Sequence, residues 1–156
     1  MIEYDEAFWI SQLRDLERYC NAEGYRVVVK PGAAEMVFYD KKLFVLDSKK
    51  NDETAMYILL HEIGHTRVIS NKRYYETYGC VFDNFSKASM TYKIATIQEE
   101  LDAWREGLKL ADTLGLHVDR RKWEITKTKC IATYLTWAQA NKTRIEKRKK
   151  LNETSI

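Results

Sequence analysis

The spacing of apolar and polar positions divides the chain into a helix, a group of short strands, and a helical second half. Over residues 5–21, Phe8, Ile10, Leu13, Leu16 and Tyr19/Cys20 recur at mostly helical intervals, and Gly24 is a stop signal. Residues 25–30 are dense in valine, Pro31-Gly32 is a turn, and residues 35–39 read as a second strand. After a turn at Asp40-Lys41, residues 43–46 make a third. The connections are short, so the expected arrangement is an antiparallel meander.

The period then changes. Asn51 or Asp52 can cap a helix, and Asp52 and Glu53 suit the positive end of its dipole. Met56, Leu59, Leu60 and Ile63 follow at i, i+3, i+4 and i+7, an apolar stripe that predicts packing onto a core. Residues 70–89 are aromatic and polar without a clean period, and read as a long loop with a short helix. A second long helix is expected over residues 89–114, ending at Gly115. A last one starts near Asp119 and turns Trp123, Cys130, Ile131, Tyr134, Leu135 and Ala138 toward the core.

These elements carry one chemical motif, His61-Glu62-Ile63-Gly64-His65. Residues four apart on a helix lie about 40° apart on one face. Both imidazoles can therefore reach one ion at Zn–N distances of about 2.0–2.1 Å. Glu62 is displaced from that axis, so it can reach zinc-bound water without becoming a ligand. Such water has a pKa near 7, and a carboxylate beside it serves as general base. The competing interpretation is a helix with two ordinary histidines; the cap, the neighbouring strand and the adjoining apolar stripe favour the metal.

A catalytic zinc site needs a third protein ligand. The extended motif that would supply a third histidine is absent, because Val68 and Asn71 occupy the relevant positions. In the second long helix, Ile97, Leu101, Trp104, Leu108 and Ala111 are expected to define the buried face, with Glu100 on it beside Ala103 and Gly107. A carboxylate on an apolar face is costly unless paired, and a zinc ion is a suitable partner. Glu100 is the first choice and Glu99 the second, followed by Asp102, Asp83 and His117. Gly64, Ala103 and Gly107 would let the two helices approach closely.

Composition narrows the rest. The chain has 156 residues, enough for one domain with a real core and no disulfides. Its three cysteines, Cys20, Cys80 and Cys130, form no CxxC pair, which points to a reducing, cytoplasmic setting. No apolar run approaches the roughly 20 residues that span a bilayer, and the acidic start lacks the features of a secretory signal. The net charge of +3 is locally biased: over residues 142–150, Lys142, Arg144, Lys147, Arg148, Lys149 and Lys150 face one acid, Glu146. This basic tail, about residues 142–156, reads first as a solvated helix end and second as a nucleic-acid contact.

In its order of elements the chain resembles the small gluzincin (HExxH) zinc metallopeptidases. The resemblance is to the ImmA/IrrE-like peptidases and related zincins of phages and mobile elements. The matching residues are the strand Leu43-Phe44-Val45-Leu46-Asp47, the HEIGH run at 61–65, and Glu100 to Ala103 on an E-x-x-A pattern. The resemblance covers roughly residues 25–112. The resemblance implies an α+β, minimal zincin-like fold: an N-terminal helix, a three-stranded antiparallel sheet, the HExxH helix, a glutamate-bearing helix and a long C-terminal helix. It implies His61, His65 and Glu100 as ligands of Zn2+, Glu62 as base, and the third strand as the edge where an extended peptide pairs.

Two departures stand out. Trp104 occupies the position, four residues after the glutamate, where many gluzincins carry an Asp or Asn that orients a histidine. No helix-turn-helix segment is evident. Tyr74, Tyr75, Tyr78 and Tyr92 are open candidates for stabilising an oxyanion. The functional expectation is a zinc-dependent metallopeptidase acting on a protein or peptide. The alternatives are a zincin-like binding module with a structural or vestigial metal, and hydrolysis of a non-peptide bond at the same site.

Overall fold

The computed structural model describes residues 4–153, with side chains through residue 140. The side chains of the basic tail at 142–156 lie outside the described residues. The architecture is mixed α+β. It comprises five α-helices, α1 (Glu6–Ala22), α2 (Asp52–Ile69), α3 (Cys80–Asn84), α4 (Met90–Leu114) and α5 (Arg120–Glu153), with three strands, β1 (Arg26–Lys30), β2 (Met36–Phe38) and β3 (Leu43–Asp47).

Helix starts follow the capping chemistry of the sequence. The Asp5 carboxylate accepts from Phe8 N at 2.9 Å, Asn51 Oδ1 from Thr54 N at 2.8 Å, and Ser89 Oγ from Tyr92 N at 3.2 Å. Asp119 accepts from Arg121 N and Lys122 N and so opens α5. α4 stops at Gly115, whose φ of 67° closes the helix in the left-handed region. Between α2 and α4, where the sequence predicts a long loop with a short helix, Tyr75–Gly79 form a π-helical turn that runs into the short α3.

The sheet is not an antiparallel meander. Its order is β1-β3-β2, with β1 parallel to β3 and β2 antiparallel to β3. β3 explains why. Phe44, Val45 and Leu46 are all buried, so this strand has apolar demand on both faces and takes the central place. β1 and β2 are only partly covered and stand at the edges. The connection through residues 31–35 therefore crosses the end of β3 instead of folding straight back. Asp47 ties that crossing down by accepting from Gly32 N at 2.7 Å and Lys49 N at 3.0 Å.

α2 is the hub of the molecule. Every residue from Ala55 to Gly64 is buried, so the expected stripe extends around the whole helix, with α1, α4 and the sheet packed about it. α4 also turns differently from expectation. Its buried residues include Glu100, Ala103, Trp104, Gly107, Leu110 and Ala111, while Leu101 is exposed. Small residues face α2 because the helices meet backbone to backbone. A Cβ on Gly64 would lie 2.7 Å from the Ala103 carbonyl carbon, and one on Gly107 would lie 2.7 Å from that of Leu60.

α5 docks through Trp123, which meets Trp104 and Tyr57 edge-on with ring centroids 4.9 and 5.5 Å apart. A polar chain reinforces this end: Tyr57 Oη donates to Glu53 at 2.8 Å and accepts from Asp119 N at 3.0 Å. Further along, the buried Lys93 ammonium donates to the Ala138 carbonyl at 3.1 Å. Leu135, expected in the core, is exposed. Among the described residues no helix is long and apolar enough to cross a membrane.

Candidate metal centre

α2 places His61 and His65 one turn apart, and the close contact with α4 brings Glu100 opposite them. Their ligand-type atoms all lie within 4.8 Å of one another. Glu100 Oε2 is 3.1 Å from His61 Nε2, and Glu100 Oε1 is 3.4 Å from His65 Nε2. His61 and Glu100 are buried, and His65 is nearly so.

The electrostatics suit a cation. Burial opposes charge on Glu100, but hydrogen bonds from His61 and His65, the charge of His65 and the Tyr134 hydroxyl outweigh it. Glu100 is thereby held well below the usual carboxylate range. Burial holds His61 below the ordinary imidazole value and so favours its neutral, coordinating form. Burial also opposes charge on His65, yet the hydrogen bond and charge of Glu100 carry that imidazole above its ordinary value. The donor set is two imidazoles and one anionic carboxylate. That is a set zinc accepts in catalytic sites, with one position left for water or substrate.

Glu62 is buried beside this group without belonging to it, with Oε1 3.5 Å from His61 Nδ1. Burial pushes its carboxyl up to about 7, while the nearby charge of His65 and the backbone N–H of Val37 on β2 oppose that shift. β2 is thus the strand beside the acid. The third strand cannot be the open edge, because β3 is bonded on both sides.

The other residues considered from sequence are placed elsewhere. Glu99 accepts from Tyr74 Oη at 3.0 Å, and Asp102 accepts from Tyr78 Oη at 2.5 Å. His117 packs against Tyr4, with ring centroids 4.4 Å apart, and Asp83 pairs with Tyr75. Tyr92 packs on Phe82. The phenol that reaches the triad is Tyr134 of α5, whose hydroxyl donates to Glu100 Oε1 at 2.6 Å.

Trp104 has a specific place as well. Its indole stacks flat on the His61 ring, with centroids 4.3 Å apart and planes at 11°. An aromatic face thus limits the rotation of this histidine, a task often met by an outer carboxylate. No known protein family matches this chain, and neither the curated proteins nor the solved structures contain a match to it.

Proposed function

We propose that the chain is a zinc metallopeptidase of the gluzincin type, in which His61, His65 and Glu100 hold the metal and Glu62 is the general base. The observation that carries this reading is the convergence of two imidazoles and a buried carboxylate from two helices within 4.8 Å, with a second buried carboxylate beside them. A buried anion such as Glu100 is stable only with compensating charge, and a divalent cation supplies more of it than two imidazoles do.

When bound, zinc supplies Lewis acidity to the reacting carbonyl and to water. Glu62 accepts a proton as the water oxygen bonds to the carbonyl carbon. It then hands that proton to the amide nitrogen as the C–N bond breaks. Burial aids the exchange because it removes competing solvent from the carboxylate. β2 gives the substrate a place: a polypeptide lying extended along this edge would pass Glu62 and gain backbone hydrogen bonds without a strict sequence demand.

A binding module would need exposed surface in the basic tail or among the aromatic residues near 74–85. Among the latter, Tyr78 is buried against Val68, Ala95 and Ala103 and Tyr74 is bonded to Glu99, while Tyr75 and Phe85 are exposed.

Elemental analysis tests the site directly. The purified chain should carry about one zinc, as a single three-ligand site requires. His65→Ala should bind it more weakly by more than the roughly 10–100-fold that loss of an outer partner costs. Equal zinc content in both proteins under competition from a chelator would remove the site.

A further inference from the structure

We infer that Tyr134 is a positioning residue of the metal centre, through which α5 sets the orientation and the metal affinity of Glu100. The inference rests on the metal reading above and extends it to a helix outside the motif and its glutamate.

Three observations carry it. First, the 2.6 Å hydrogen bond from Tyr134 Oη ends on Glu100 Oε1, the same oxygen that faces His65 Nε2. Glu100 thus has both oxygens committed: Oε2 faces His61, while Oε1 is shared by His65 and the phenol. Second, the phenol reaches Glu100 from a different side of the protein. The histidines belong to α2 and the carboxylate to α4, so a third helix fixes the carboxylate plane that two helices alone leave free to rotate. Third, α5 is itself held on either side of Tyr134. Trp123 packs against Trp104 ahead of it, and the Lys93 ammonium grips the Ala138 carbonyl one turn beyond it.

A ligand carboxylate bound at one oxygen commonly depends on a hydrogen bond at the other to keep its direction. The Tyr134 hydroxyl meets that need, as Trp104 does for His61. α5 then contributes to the centre through this one hydroxyl, and not through its packing in general.

Tyr134→Phe retains the ring and removes only the hydroxyl. Zinc and cobalt affinities would be measured by chelator competition for the wild-type chain, for Tyr134→Phe, and for Trp137→Leu, which disturbs α5 packing without touching Glu100. The cobalt absorption bands would be recorded alongside, since they respond to ligand geometry and not to global stability. Tyr134→Phe is expected to bind about 10–100-fold more weakly, with shifted cobalt bands and a metal-free melting temperature near that of the wild type. Trp137→Leu is expected to melt lower but to bind within about twofold of the wild type. Wild-type affinity and bands in Tyr134→Phe would overturn the role of Tyr134 and leave the metal site standing. Equal weakening in both variants would overturn it too, by tracing the effect to helix packing. A wild-type chain that takes up neither metal would overturn the metal reading, and the role of Tyr134 with it.

Discussion

Glu62→Gln is expected to leave the zinc content of the chain unchanged and to lower peptide hydrolysis by about 10²–10⁴-fold, the usual contribution of a positioned acid–base group. The amide matches the carboxylate in shape, so the packing of this buried side chain survives. Glu62 is not one of the three residues whose donor atoms converge, so the ligand set survives as well. What is lost is proton transfer, because a neutral amide cannot take up the proton of the attacking water. Cleavage of a pool of quenched fluorescent peptides, followed beside elemental analysis of the same samples, reads both effects. Hydrolysis at the wild-type rate by zinc-loaded Glu62→Gln would refute the role given to this residue. Loss of zinc along with activity would instead make Glu62 part of the binding site.

The largest effect on stability is expected from Gly64→Ala. The new methyl group would overlap the Ala103 carbonyl, and it meets rigid backbone on that side. Overfilled interiors usually lose about 1–3 kcal/mol and sometimes more, and a clash with a helix backbone belongs at the upper end. A cost of about 3 kcal/mol would move the urea midpoint down by roughly 1–3 M, given the usual denaturant slopes for small domains. Because the contact lies between the two helices that carry the proposed ligands, metal affinity should fall with it. The measurement is urea unfolding in the presence of a chelator, so that loss of metal is not counted as loss of packing. A midpoint equal to that of the wild type would show that α2 and α4 separate freely, contrary to the contact described.

The motif itself was readable because helical geometry alone places residues 61, 62 and 65. Glu100 was readable for a different reason, as an acid that coincides with small residues on one helix face. The predicted buried face was still rotated, since Leu101 was assigned inward by its hydropathy and is exposed. The cause is the intimacy of the α2–α4 contact. Glycine and alanine there bury backbone, and hydropathy patterns undervalue them.

The sheet departs from a meander because turn chemistry describes a local reversal and not which side of a partner the returning strand takes. That choice was set by β3, whose unbroken Leu43-Phe44-Val45-Leu46 run signals a strand covered on both faces. The pattern turns Tyr134 and Trp104 inward but does not name Glu100 and His61 as their partners. Both pairings depend on how α5 and α4 cross their neighbours, which a one-dimensional period does not encode.

The stacking of Trp104 on His61 has a practical consequence. A buried indole lying 4.3 Å from an imidazole gives the centre a built-in optical reporter. Cobalt or copper captured by that imidazole should dim the emission of Trp104, with little change in that of Trp9 and Trp137, which do not stack on it. Titrating either ion while recording intrinsic fluorescence, with Trp104→Phe as the reference that keeps the emission of Trp9, Trp123 and Trp137, would follow occupancy in solution.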